Sequence, residues 1–595
     1  MGNQKKSDTK VDFEKFYEKF KPGKKGKFPK QYLHFDHKIP LFGKRESEYK
    51  VYLENLFNKI SNLQNAKKIE WRFIPLIKSK LPKYSIKEEV VGKLLKNSKT
   101  YKEKSDKNKV KYLHKDTRPI MYCGHKDRLL YTYYNLFLSQ KYEEKLKQNN
   151  LENSIIAYRE IKKQDGKGKG NLDFAKDVFE IIKNHNFDEP VVALAYDIKG
   201  FFDNLDHEKL KQSWLSILDL QDNKLPPDHF KIYESVTKYS FFNREELFRN
   251  VLKFSKLRWL NKKEKRYKIV TPAQTLKRHT INGKLNFCLE RKKESINHLK
   301  KHGRYKYEIT NLNTVEKFDE KLKKWKTLST VGTDLRKIIE ESKKYDLELK
   351  KWQEKGYCLN ENFIFEVNKQ NIGIPQGLPI SGLLANIYLL EFDKIIQEFC
   401  KEKFGSYFRY SDDILIICPQ SKAQEIQSKI FSEITKSRLT IKDQKTNRII
   451  FLQDKNKLKS FSLNENFEIE KDKSKNQPQD KRKLLQYLGL EFDGQKITLR
   501  PSSLAKNLNK LTYKIKKYKQ RFYKKGGKKV DFKDKTIFVK KLMEYTHLGK
   551  MNFYRYAVKL PKEDKIFDNK ERLIFKKQLK KQSQKVQDMI KSVKT

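Results

Sequence analysis

YFRYSDDILIIC, residues 407–418, decides how this chain is built. It reads as two short apolar runs joined by a bend at Ser411, Asp412 and Asp413, the pattern of a strand, a turn and a second strand. Far upstream, VVALAYDI at 191–198 is a β-branched run of strand length that also ends on an acid, Asp197. Apolar strands rarely end on unpaired carboxylates, because an uncompensated charge beside a low-dielectric interior is expensive. If the two strands are neighbours in one sheet, Asp197, Asp412 and Asp413 converge on one edge and repel one another until a divalent cation neutralises them. Hard oxygen ligands select magnesium or manganese. A pair of ions about 4 Å apart suits in-line phosphoryl transfer, one activating an attacking hydroxyl and the other steadying the leaving oxygen. Each acid alone is an ordinary turn residue. A YSDD hairpin together with DIKGFFDNLD (197–206) is harder to read that way.

The remainder of the 595 residues sets limits. Such a length predicts two to four structural units with ample core. Lys and Arg number 134 against 75 Asp and Glu, a formal charge of +59, so the surface favours a polyanion; a lysine-rich coding bias accounts for the same excess in another way. Only 37% of residues are hydrophobic, but 38 Phe, 31 Tyr and 5 Trp supply enough burial for a folded chain. The five cysteines stand singly, which excludes a zinc-ligand pattern and a disulfide framework and predicts a reducing, cytoplasmic setting. MGNQKKSDTK at the start has no apolar core, and Lys6 stands where an acylation signal needs Ser or Thr. The most apolar stretch, 372–390, contains Pro375, Gln376, Pro379, Ser381 and Asn386, so no membrane span is expected there. DGKGKGN (165–171) lacks the GxxxxGK[ST] form and reads as a turn.

Three segments, in this order, resemble motifs A, B and C of reverse transcriptases: AYDIKGFFDNLDH (195–207), GIPQGLPISGLLANIYLLEFD (373–393) and the YFRYSDDILIIC hairpin. The resemblance is to bacterial, non-retroviral members, the group II intron, retron and phage-defence lineages. LTIKDQKT (439–446) is similar to motif D, QYLGLEF (486–492) to motif E, and RPIMYCGHKDRLLY (118–131) to a fingers segment. The implied fold is an α+β right-hand polymerase with an antiparallel-sheet palm, a long insertion between motifs A and B, and a helical C-terminal thumb. Its divisions are a basic N-terminal extension (1–110), fingers (111–190), palm with motif A (191–225), an insertion with returning elements (226–365), palm with motifs B to E (366–503) and thumb (504–595). A helix is predicted over Leu335–Glu354. Another is predicted from about Ile380 to Phe399, where small Ser381, Gly382 and Ala385 admit close approach of template or nucleotide.

Residue by residue, the resemblance implies Asp197, Asp412 and Asp413 as metal ligands, aided by the carbonyl of Ile198. Phe202 stands at the steric-gate position beside Phe201, where a ring crowds a ribose 2′-OH; a core Phe pair is the plainer reading. Arg118 matches the arginine that grips a triphosphate, with Lys115 assisting, and Gln376 and Gly377 line the nucleotide. Lys445 matches the lysine that returns a proton to pyrophosphate, or is a solvated lysine. Arg159, Tyr410, Ser411, Tyr487, Leu488 and Gly489 fall where nucleic acid is contacted, although a surface role suits Arg159 equally.

The implied activity is magnesium-dependent synthesis of cDNA from dNTPs on an RNA template, with manganese as the alternative ion. After motif E the sequence shows neither an HNH-like Cys/His cluster nor an RNase H pattern. In this it resembles the phage-defence members, which work with a structured noncoding RNA and assemble as homo-oligomers or with a partner protein. Two rivals stay open: a template-independent or protein-primed nucleotidyl transferase, and a non-catalytic RNA-binding scaffold.

Overall fold

The computed structural model describes residues 11–21, 46–65, 71, 73, 76–90, 109–185, 188–243, strands between 257 and 330, 366–455, 457–472, 479–505 and 566–594. The predicted Leu335–Glu354 helix and the basic run 506–529 lie outside them. The chain divides into two compact units, each assembled from discontinuous segments: 1–146 with 200–389, and 147–199 with 390–595.

In the second unit, helix α1 (Asn171–Lys183) precedes strand β1 (Val191–Asp197). After the chain returns come α2 (Leu390–Glu402), β2 (Ser406–Tyr410), β3 (Asp413–Pro419), α3 (Ala423–Lys436), β4 (Asn447–Asp454) and β5 (Lys457–Ser462). These strands form one antiparallel sheet in the order β2-β3-β1-β4-β5. Because β1 is central and covered on both faces, its run of Val191, Val192, Ala193 and Leu194 is buried throughout rather than alternating. One face packs on α1 and on a small antiparallel sheet of β6 (Leu485–Tyr487), β7 (Leu490–Phe492) and β8 (Ile497–Leu499). There Phe492 stacks against both Phe179 and Phe451, with ring centroids 5.0 and 5.7 Å away. Helix α3 packs against β1, with Ile426, Ile430 and Ile434 buried at helical spacing and Phe431 edge-on to Tyr196. The motif E segment thus belongs to a three-stranded meander. Helix α4 (Asn569–Lys594) docks on its edge, Gln578 bonding both the N–H and the carbonyl of Leu499 at 2.9 and 3.2 Å.

In the first unit, strands Leu76–Val90 and Lys109–Tyr122 pair antiparallel along their length, Ile77 opposite Tyr122 and Val90 opposite Lys109. Helix His125–Gln148 follows, burying Leu129, Tyr133, Phe137 and Tyr142 among others. Within the stretch between motifs A and B, described strands from Leu257 to Thr330 form an antiparallel sheet of their own.

The predicted helix from Ile380 to Phe399 is in fact two helices, Ser381–Tyr388 and then α2. At the junction Leu389 leaves helical geometry (φ −96, ψ 5) and bonds back three residues, to Asn386. Ser381 and Ala385 do not face a ligand, because both are buried and the Ser381 hydroxyl donates to the Pro375 carbonyl at 2.6 Å. Their smallness serves packing. Cys123, Cys400 and Cys418 are buried free thiols. Among the described residues no helix is long and apolar enough to cross a membrane.

Candidate active site

The sheet register brings the acids together. In the antiparallel pairing of β3 with β1, Asp413 lies directly opposite Asp197. The Ile198 N–H donates to the Asp412 carbonyl at 2.9 Å, which sets the Ile198 peptide beside the turn. On the other side of β1, the Lys442 N–H donates to the Asp197 carbonyl at 2.8 Å and the Lys199 N–H to that of Thr440. This carries Lys445 round a short helical turn (Asp443–Lys445), and its ammonium forms an ion pair with the Asp197 carboxylate. Residues far apart in the chain thus share one strand end.

The charge at that end is poorly balanced. Asp413 keeps access to solvent, yet the protein packed around it is the largest influence on its carboxyl, followed by the charges of Asp412 and Asp197. Together they push its pKa up to about 6 against opposing pulls from Lys445 and Arg500. Among the described residues no three Asp, Glu, His or Cys side chains are gathered closely enough to form a ready-made cation site. The donor chemistry nevertheless fits a hard divalent cation: Asp413 stands opposite Asp197 with Asp412 next to it in the chain, the Asp413 carboxyl has a raised pKa, and the Asp197 carboxylate already engages an ammonium.

Beneath the turn lies a second constellation. Arg409 on β2 is wholly buried and pairs with equally buried Asp393 on α2, Nε to Oδ1 at 2.7 Å and Nη2 to Oδ2 at 2.5 Å. Tyr407 donates to the same carboxylate at 2.6 Å, and Arg409 Nη1 reaches the Ser411 carbonyl at 3.1 Å. Burial raises the Asp393 pKa, and the Arg409 guanidinium opposes that rise. The pair therefore anchors the turn from below. The sequence reading missed it, although the signal was there: a charged residue at a buried alternation of a strand, and an acid on the apolar side of a helix.

Residues 331–492 match the family model described as "Reverse transcriptase (RNA-dependent DNA polymerase)". That stretch is similar to a reverse transcriptase domain. Asp197 lies before the matched stretch, and the sheet register joins it to the matched hairpin. No curated protein matches. Among solved structures, apo telomerase from Candida tropicalis is 12% identical, with 87% of this chain and 70% of that chain covered and a TM-score of 0.29. Telomerase from Candida albicans in complex with a TWJ fragment of telomeric RNA is 11% identical, with coverages of 91% and 68% and a TM-score of 0.29. For the C. tropicalis enzyme truncated of its C-terminal domain the figures are 12% identity, coverages of 65% and 54%, and a TM-score of 0.27, so the chain spans about half the length of that relative. Likenesses this distant assign no function.

The other residues singled out by resemblance to reverse transcriptases fall in several places. Within the second unit, Tyr410 is half-buried against the core, and buried Ser411 has a left-handed backbone (φ 61). Arg159 turns its guanidinium back on its own loop, donating to the carbonyls of Glu152 and Ile155 rather than standing clear for a template. Tyr487 is buried in the core, so its ring does not face nucleic acid as expected; alternation along β6 turns Gln486 outward instead. Burial raises the Tyr487 pKa, as do the charges of Asp413 and Tyr410, and its phenol oxygen has no hydrogen-bond partner among the described residues. Leu488 (φ 44) and Gly489 (φ 93) form the two-residue turn joining β6 to β7.

Within the first unit, Phe201 and Phe202 occupy a single 3-10 turn, not an extended strand. Both are buried and their ring centroids are 5.6 Å apart. Asp203 beside them has a pKa raised by burial and drawn back by Lys78 and Arg118, so two cations lie within electrostatic reach of this turn. Arg118 is exposed; Lys115 lies on the same strand. Half-buried Gln376 accepts the Met121 N–H on its carbonyl at 2.7 Å. Gly377 has φ +114, and a Cβ there would meet the Met121 carbonyl at 2.6 Å, so both conformation and space require glycine.

Proposed function

We propose that this chain is an RNA-directed DNA polymerase, with Asp197, Asp412 and Asp413 holding two divalent metal ions, magnesium or manganese. The observation that carries the reading is the register of β1 against β3, which sets Asp413 opposite Asp197 with the Asp412 carbonyl bonded to Ile198. When bound, such ions activate a primer hydroxyl and offset charge on the leaving pyrophosphate. The chain's own residues do the rest. By the resemblance to reverse transcriptases, Arg118 would bind phosphate oxygens, Gln376 and Gly377 would contact the incoming dNTP, and Phe202 would exclude a ribose 2′-OH. Lys445 holds the Asp197 carboxylate in the resting site and supplies a proton to pyrophosphate once released.

In the same reading the second unit's sheet is the palm, the 76–122 ribbon belongs to the fingers, residues 226–365 are an inserted lobe, and the segment after 504 is a thumb. The template is a structured noncoding RNA and the setting is cytoplasmic antiviral defence in a bacterium, where the chain acts as a homo-oligomer or with a partner protein. The resemblance to phage-defence members and the +59 charge support this.

Primer extension by the full chain on a defined RNA template tests the activity. Template-complementary cDNA made from dNTPs, and lost in Asp412→Ala/Asp413→Ala, is the expected result. Products unchanged when the template is omitted would replace it with an untemplated transferase, and no synthesis under any condition would leave a scaffold. Sequencing the RNA that copurifies tests the noncoding-RNA partner: one dominant structured species is expected, and bulk cellular RNA would count against it.

A further inference from the structure

Two non-glycine residues of the second unit, Tyr158 (φ 62) and Ser411 (φ 61), hold the left-handed backbone conformation that L side chains disfavour. Their side chains meet, with the Tyr158 hydroxyl 3.1 Å from Ser411 Oγ. Core burial does not explain the tyrosine, because it is 53% exposed. Its position is enforced from both sides. The preceding residues run along the free edge of β2: the Arg409 N–H donates to the Ser154 carbonyl at 2.8 Å and the Ile156 N–H to the Arg409 carbonyl at 3.0 Å. The following residue, Arg159, ties back to the Glu152 carbonyl at 2.7 Å.

Ser411 is therefore restrained at two atoms. Its carbonyl accepts from buried Arg409, and its hydroxyl meets Tyr158. The peptide that leaves Ser411 is the one that aims Asp412. A serine turn held by its carbonyl alone keeps a free rotation of the side chain and a looser backbone; the second tether removes that freedom.

We infer that Tyr158 is a positioning residue for the acidic turn: through Ser411 it fixes the direction in which Asp412 and Asp413 present their carboxylates. The inference rests on the polymerase reading above, in which those carboxylates hold the metal ions.

The test uses the full chain and reads Mn2+ affinity by calorimetry alongside primer extension. Tyr158→Phe keeps the ring and removes the hydroxyl; Ser411→Ala removes the other partner. Each single variant is expected to bind Mn2+ roughly three- to tenfold more weakly, with kcat reduced and the KM for dNTP unchanged. The double variant should be no worse than the poorer single, since one interaction is lost in all three. Wild-type Mn2+ affinity and kcat in Tyr158→Phe, or losses that add in the double variant, would overturn the inference. Asp413→Ala is the control that separates the two levels. If it abolishes Mn2+ binding while Tyr158→Phe does nothing, only the role of Tyr158 falls; if it leaves binding intact, the metal reading fails and takes this inference with it.

Discussion

On two sides of one hairpin, its buried base and its acidic tip, the chain treats carboxylates in opposite ways. Asp393, reached from β2, is buried against the guanidinium of Arg409 and the phenol of Tyr407, so its charge and its lone pairs are matched by the chain itself. Four residues beyond Arg409, Asp413 shares its strand end with Asp197 and Asp412 and has its pKa pushed up to about 6. A carboxylate that only holds structure is neutralised internally. Under the proposed metal reading, Asp413 is kept for an external cation and left with like charges around it, and the fold bears that repulsion.

The largest expected effect tests this contrast at its acidic end. Asp412→Ala/Asp413→Ala should reduce DNA synthesis at least about a thousandfold, the scale of losing metal-borne charge stabilisation. Thermal melting should stay level or rise because repulsion is relieved; a large fall would make these acids structural and erase the contrast. At the other end, Arg409→Met should destabilise the protein by about 3–5 kcal/mol in urea unfolding, since Asp393 would be left buried and unpaired. Adding Asp393→Leu should restore most of the loss. A benign Arg409→Met would mean that the buried pair is not what holds the turn.

Proton linkage gives a smaller effect. The folded pKa of Asp413, about 6, lies above its ordinary value of 3.8, so its ionisation works against the fold as pH rises from 3.8 through 6. Below that folded value a proton competes with the cation, and Mn2+ affinity should fall roughly tenfold per pH unit under 6. In urea unfolding, Asp413→Asn should remove the loss of stability between pH 3.8 and 6; an unchanged stability profile would assign it to another group. The smallest effect concerns Phe202, which is as buried as a structural residue. Phe202→Val should relax discrimination against ribonucleotides by roughly tenfold in relative kcat/KM. A drop in melting temperature with discrimination intact would return it to the core.

The convergence of Asp197 with the acidic hairpin was legible because strands of fixed length ended on acids, and a side chain's place on a strand follows from period two alone. What stayed hidden depended on partners chosen across the fold. Arg409 stands at an inward alternation of its strand, a signal easily lost among 134 Lys and Arg, and its partner Asp393 is identified only by the fold. Tyr158 has no local pattern that ties it to Ser411, since an edge pairing brings them together. The break at Leu389 has no proline or glycine to announce it. Tyr487 was read from its motif as facing nucleic acid, whereas strand alternation directs it into the core.

Gln578 has a consequence beyond docking its helix. Strand β8 ends the three-stranded meander and would otherwise present Leu499's peptide groups to any passing chain. One primary amide, with an acceptor and a donor two bonds apart, answers both groups as a neighbouring strand would. The C-terminal helix thereby closes the margin of the meander at this residue, so recruitment of a foreign strand here must first peel that helix away.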